Sequence, residues 1–62
     1  MYLSINFQGN AHQAMQYVNT LKCRDRLFQI IYFRPDCILI FKVPSREDEV
    51  EARKELGLRE MP

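Results

Sequence analysis

Residues 27–43 read LFQIIYFRPDCILIFKV, and this stretch decides the fold. Two runs of mostly apolar residues flank Arg34-Pro35-Asp36, a sequence that is typical of a turn. A strand exposed on one side alternates apolar and polar residues, whereas a near-continuous apolar run is typical of a strand covered on both faces. A chain of 62 residues is too short to cover both faces of a sheet. The hairpin therefore predicts contact with a second copy of the chain or with another protein.

The polar residues of the hairpin predict how its strands pair. Pro35-Asp36 suits the centre of a type I turn, since proline presets φ there. Phe33 then pairs with Ile38. In that register Gln29 and Lys42 lie opposite each other on one face. The other face is purely apolar and is expected beneath helices; it comprises Phe28, Ile30, Tyr32, Leu39, Phe41 and Val43.

Further elements flank the hairpin on both sides. Alternation of apolar and polar side chains in residues 2–8 predicts a half-buried strand. Asn10, with Gln13 at the capping-box position, predicts the start of a helix. Its apolar stripe consists of Ala11, Ala14, Met15, Val18 and Leu21. Ser45 predicts the cap of a second, more polar helix, which Gly57 ends.

The predicted element order is β-α-β-β-α, in one small α+β domain of residues 1–62. This order matches a ferredoxin-like β-α-β-β-α-β unit that lacks its last strand. By analogy, we expect a three-stranded antiparallel sheet in the order 1-3-2, with both helices on one face. The opposite face is then open, and strand 1 is an unprotected edge.

Composition and cysteine content exclude several classes of protein. The net charge of +1 gives no global attraction to nucleic acid or membranes. No apolar segment approaches the roughly 18 residues of a transmembrane helix, and the N-terminus lacks signal-peptide features. We therefore expect a cytoplasmic protein without a membrane partner. Cys23 and Cys37 are too few for a disulfide framework and, with the lone His12, for a zinc site, so no metal or cofactor is predicted.

Residues of the types that act in catalysis are not predicted to lie together. His12 is the only histidine, and Cys23 lies at the far end of the same predicted helix, roughly 16 Å along its axis. A general base needs a nucleophile within hydrogen-bond reach and a group that orients it. The carboxylates cluster on one solvated helix, which offers no contrast in environment to separate their pKa values. The sequence therefore predicts a protein that is not an enzyme.

The open face of the predicted sheet combines an apolar centre with a polar rim, which is the anatomy of a protein interface. The predicted interface residues are Leu27, Ile31, Phe33, Ile38 and Ile40. The sequence thus predicts a small non-enzymatic protein-binding or regulatory protein, of the inhibitor or accessory-subunit type. Its partner is another protein, a second copy in a homodimer, or both.

Two alternatives remain at this point. A small nucleic-acid-binding protein would use the basic hairpin, with contacts from Arg24, Arg26, Arg34 and Lys42. The glycine and aromatic pattern of RNA-recognition strands is absent from residues 37–43, and the net charge gives little attraction to phosphates. We therefore do not expect nucleic acid as the partner. A ligand-binding dimer with a pocket between two sheets is the second alternative.

Overall fold

The computed structural model describes residues 1–58, which form three antiparallel strands and two helices in the predicted order. The elements are β1 (Tyr2–Phe7), α1 (Ala11–Asn19), β2 (Leu27–Phe33), β3 (Asp36–Lys42) and α2 (Arg46–Leu56), with a short 3-10 turn at Lys22–Arg26 between α1 and β2. The strand order is β1-β3-β2, as predicted. Residues 59–62 of the predicted domain lie outside the described residues.

Local capping sets where α1 begins. The Asn10 side chain accepts a hydrogen bond from the Gln13 backbone N–H at 2.9 Å, and the Gln13 side chain accepts one from the Asn10 N–H at 3.0 Å. These reciprocal bonds satisfy two N–H groups that the first turn of a helix leaves free. The predicted capping box is therefore confirmed. The sequence predicted that this helix ends at Cys23. It ends four residues earlier, at Asn19.

The second helix also follows its predicted signals. The Ser45 side chain accepts a hydrogen bond from the Asp48 backbone N–H at 3.2 Å. Gly57 ends the helix in the left-handed conformation, with φ of 73°, which glycine adopts without steric cost. Glu49 and Arg53 form an ion pair of 3.3 Å one turn apart. Capping and helix-dipole complementarity thus support a helix that buries little apolar surface.

Both helices pack on one face of the sheet, as predicted. The core beneath them comprises Leu3, Ala14, Val18, Leu21, Cys37, Leu39, Phe41, Val43 and Ala52. The largest of these, Phe41 and Leu39, lie on the central strand and are fully buried. Met15 was predicted to be part of this packing but is 40% exposed. Tyr17 is half-buried in its place, with its ring 5.4 Å from that of Phe7.

The predicted register of the hairpin is wrong by two residues. Ile31, not Phe33, pairs with Ile38. Phe33 pairs with Asp36, so only Arg34-Pro35 connects the strands, and the peptide bond between these two residues is cis. The tighter turn brings Asp36, which the prediction left in the loop, into the strand ladder. Because side chains alternate with a period of two, the shift keeps most strand residues on their predicted faces.

A β-bulge at the start of β2 changes the faces of two residues. Leu27 pairs with Phe41, and the next pair joins Gln29 to Ile40, so Phe28 is the extra residue. Leu27 therefore packs against the core, although it was predicted on the open face. Phe28 is 56% exposed, although it was predicted beneath the helices. The placement of these two side chains is the reverse of the prediction.

Candidate interaction surface

The face of the sheet opposite the helices carries the candidate site. We call it the open face, and it consists of Tyr2, Ser4 and Asn6 from β1, Asp36, Ile38, Ile40 and Lys42 from β3, and Phe28, Gln29, Ile31 and Phe33 from β2. It is open because α1 and α2 both pack on the opposite face, where the buried residues of the strands lie. Strand alternation, together with the bulge at Phe28, therefore places eleven neighbouring side chains where the helices of residues 1–58 do not cover them.

The centre of the open face is apolar. Ile38 and Ile40 are half-buried by their neighbours in the sheet, and Ile31 beside them is exposed. Phe33, at the hairpin end, is 69% exposed. These are four of the five predicted interface residues, and the structure brings them together. The fifth, Leu27, lies on the opposite face because of the bulge.

Two aromatic rings and an amine meet at the other end of the open face. The rings of Tyr2 and Phe28 are 5.3 Å apart in an edge-to-face arrangement. The Lys42 Nζ lies 5.9 Å from the centroid of each ring, within the range of a cation–π contact. We call these three residues the aromatic–lysine cluster. Sequence reasoning missed Phe28 as a member, because a run in which nearly every residue is apolar contains no signal for a bulge.

The four basic residues of the nucleic-acid alternative do not form one patch. Lys42 lies on the open face, and Arg24 and Arg26 belong to the 3-10 turn that precedes β2 at the same end of the sheet. The Arg24 guanidinium donates a hydrogen bond to the Leu21 carbonyl at 3.0 Å. Arg34 lies in the hairpin turn, about 20 Å away at roughly 3.3 Å per strand residue. The positive charge is therefore divided between two ends.

A groove of about 520 Å³ separates α2 from the 3-10 turn, with Val43 and Ala52 among its lining residues. Glu55 closes it by accepting hydrogen bonds from the backbone N–H groups of Lys22, at 2.6 Å, and Cys23, at 3.1 Å. The bond from the Lys22 N–H is the main reason why the pKa of the Glu55 carboxyl is lowered. Sequence reasoning treated Glu55 as a solvated side chain, since nothing in the sequence marks a contact over this distance.

The two cysteines and the histidine each have their own local contacts. Burial, followed by the neighbouring Glu55 carboxylate, raises the pKa of Cys23 to about 11, so its thiol stays protonated at neutral pH. Cys37 is buried, and its Sγ donates to the Gly9 carbonyl oxygen at 3.4 Å. His12 is exposed and lies 3.4 Å from the Gln16 side chain. In the part of the chain that the structure describes, no three His, Cys, Asp or Glu side chains are grouped to hold a metal ion.

The open face is thus an uncovered and mostly apolar surface of the described sheet, and the Glu55 hydrogen bonds join the two sides of the groove beside α2. Neither helix within residues 1–58 has the length and apolar character needed to cross a membrane. Comparison of the chain with protein-family models, with curated proteins and with solved structures found no match.

Proposed function

We propose that this chain is a small non-enzymatic protein that binds protein surfaces through its open face, as a regulator or accessory subunit, and that it forms a homodimer by the same face. The observation that carries this proposal is the uncovered apolar centre of the sheet, Ile31, Ile38 and Ile40, next to exposed aromatic side chains. Contiguous exposed apolar patches on small proteins usually mark interaction sites.

The composition of the open face supports a protein partner. Protein interfaces are enriched in aromatic residues and are polar at their rims. Tyr2, Phe28 and Phe33 supply exposed rings, and the β1 side of the face supplies Ser4 and Asn6. A domain of this size also has a small core, and oligomerisation is a common way for such domains to gain stability. The composition of the open face favours a protein partner at this face, and the small core favours association.

Replacement of Ile40 by glutamate tests the proposal. Ile40 lies on the central strand of the open face, so Ile40→Glu would place an unpaired carboxylate in the interface, which is strongly unfavourable. We expect the unmodified protein to sediment as a dimer at micromolar concentration. The variant should sediment as a species of 7.4 kDa with its circular dichroism spectrum unchanged.

Glu51→Lys is the matched control, because Glu51 is exposed on α2, away from the open face. It should change the free energy of association by no more than about 0.5 kcal/mol. A monomeric unmodified protein would contradict self-association. Loss of helix and strand signals in Ile40→Glu would show that Ile40 is needed for folding and would remove the main support for an interface.

We also propose that the protein works in the cytoplasm. Cys23 is half-buried, Cys37 is buried, and both are free thiols. Free thiols persist in reducing compartments, whereas small secreted domains tend to pair their cysteines. The proposal rests on the placement of the two cysteines, which are not paired with each other.

A second candidate function is binding of single-stranded nucleic acid. The observation that favours it is the aromatic–lysine cluster, since exposed rings beside a cation can stack with bases. The divided positive charge and the net charge of +1 count against it. We expect at most weak binding of a single-stranded oligonucleotide, lost between about 50 and 200 mM salt.

Fluorescence anisotropy with an oligothymidine and an oligouridine measures this directly. The decisive comparison is between the unmodified protein and Phe28→Ala, which removes one ring of the cluster and leaves the net charge unchanged. Sub-micromolar binding that resists salt and is lost in Phe28→Ala would make nucleic-acid binding the better assignment. Weak binding that is equal in the two proteins would reflect unspecific attraction to phosphates.

A further inference from the structure

The free edge of β2 is a second surface, which borders the open face along the outer side of the sheet. The strand order β1-β3-β2 leaves β2 hydrogen-bonded to β3 on one side only. An edge strand presents unpaired N–H and C=O groups on its outer side, which can pair with another extended chain. Three successive residues of this strand, Ile31, Tyr32 and Phe33, are all exposed. The backbone and side chains of β2 are therefore both accessible along this edge.

The β2 edge has few of the features by which edge strands usually avoid such pairing. Natural edges are protected by a charged side chain, a proline, an unusually short strand, a β-bulge or a covering segment. Leu27–Phe33 is seven residues long and contains no charged residue, proline or glycine. Its bulge lies at the first pair of the ladder, so the pairs from Gln29 to Phe33 are regular. Most of the strand is thus a regular, unprotected edge.

The other edge of the sheet differs in this respect. β1 alternates apolar with polar residues, and Leu56 and Leu58 at the end of α2 border a groove along it. From the sequence, β1 is predicted to be the unprotected edge, because it is the strand left without a neighbour when the last strand of a ferredoxin-like unit is absent. In the described residues, β2 is the longer and more apolar of the two edges.

The charges at the two ends of β2 indicate what it pairs with. Arg26 precedes the strand and Arg34 follows it, and both side chains are exposed. If two copies paired antiparallel with full overlap, Arg26 of each would face Arg34 of the other, because Leu27 would lie opposite Phe33. Like charges that face each other across a strand pair are destabilising. A strand of another protein with acidic residues at its ends would instead place a carboxylate opposite each arginine, with Asp25 and Asp36 as the nearest opposing charges in the chain.

We propose that the β2 edge binds an extended, apolar segment of a partner protein that carries acidic residues at both ends, and that this segment becomes a fourth strand of the sheet. The backbone ladder supplies affinity in this mode of recognition, and flanking side chains supply specificity. The inference rests on the proposed function in that the chain acts by binding proteins. It concerns the backbone edge of β2, however, and not the apolar centre of the open face, so it can be tested independently.

The test uses a synthetic peptide with a central valine–threonine repeat and a pair of glutamates at each end, and the same peptide with lysines in place of the glutamates. Isotope-labelled protein is titrated with each peptide at low salt and followed by NMR. We expect the glutamate peptide to bind about tenfold more tightly than the lysine peptide. This is the difference expected when two exposed charge pairs change from repulsive to attractive. Its shifts should centre on the amides of Leu27–Phe33, and its affinity should fall in the double variant Arg26→Glu, Arg34→Glu.

Arg46→Glu is the matched control, since it reverses an exposed arginine on α2, away from the hairpin, and should leave the affinity unchanged. Ile40→Glu should also keep the affinity, which separates this inference from the fate of the open face. Equal binding of both peptides, no binding, or shifts centred on Tyr2–Phe7 would overturn the proposal. Concentration-dependent shifts in β2 without peptide that persist in Ile40→Glu would overturn it too, because they would show a second copy at this edge and not at the open face.

Discussion

Replacement of Phe41 by alanine is expected to leave the protein largely unfolded at room temperature. Phe41 is fully buried on the central strand and pairs with Leu3 on one side and Leu27 on the other. Truncation of a buried phenylalanine costs about 3–5 kcal/mol. The core of so small a domain rarely supplies more than about 3–5 kcal/mol in total. Urea unfolding followed by circular dichroism should show a cooperative transition only in the unmodified protein.

Phe33→Ala is the matched control, because it makes the same chemical change at a residue that is 69% exposed. Its free energy of unfolding should change by no more than about 0.5 kcal/mol in the monomer, as is usual for surface positions. A Phe41→Ala variant that unfolds at the same urea concentration as Phe33→Ala would show that Phe41 is not central to the core.

The second prediction concerns the hydrogen bonds of Glu55, which join the end of α2 to the 3-10 turn. We expect Glu55→Gln to lower the free energy of unfolding by about 1 kcal/mol at neutral pH, since bonds to a charged acceptor are stronger than bonds to a neutral one. The helix itself buries only Ala52 completely, so these bonds are a large part of its attachment. Chemical unfolding at several pH values measures the effect.

The pH dependence of this effect has a definite sign. The hydrogen bonds lower the pKa of Glu55 in the folded chain below its ordinary value of 4.5. Its contribution to stability is therefore fully present above about pH 4.5 and is lost as the pH falls through the lower folded pKa. The pKa of Cys23 is raised from 9.0 to about 11, so the contribution of its neutral thiol is lost as the pH rises from 9.0 to about 11.

Glu51→Gln is the control for this prediction, because Glu51 is an exposed carboxylate on the same helix. The stability difference between the unmodified protein and Glu55→Gln should shrink below about pH 4.5, and Glu51→Gln should show no comparable change. A Glu55→Gln difference that is independent of pH would mean that the side chain acts through its shape and not its charge.

The elements of this fold could be predicted because their signals are local. The Asn10 capping box, the Ser45 cap and the Gly57 stop each depend on residues within one helical turn, and all three are confirmed. The strand order followed from the element order by topological analogy and is also confirmed. Helix packing was less accurate, because the stripe of α1 did not distinguish exposed Met15 from half-buried Tyr17.

The errors arose where the apolar pattern carried no information. Every residue of β2 except Gln29 is apolar, so one position alone indicated the register of the strand. The bulge exchanges the faces of Leu27 and Phe28. Because both residues are apolar, the exchange leaves the pattern of apolar and polar residues unaltered. Four of the five interface residues are nevertheless on the predicted face, because a two-residue shift preserves alternation. Glu55 was missed because its partners lie more than thirty residues away.

The central position of β3 has a consequence for how the chain folds. Its ladder with β2 closes a two-residue turn, whereas its ladder with β1 begins where Phe7 meets Cys37, thirty residues further along the chain. The hairpin can therefore form first, and β1 joins only after a long loop closes, which is the slower event. Until then both sides of the hairpin are bare and apolar, and newly made chains are vulnerable to aggregation. Once β1 has paired with β3, both edges of β3 are covered, whereas the outer edge of β2 stays accessible.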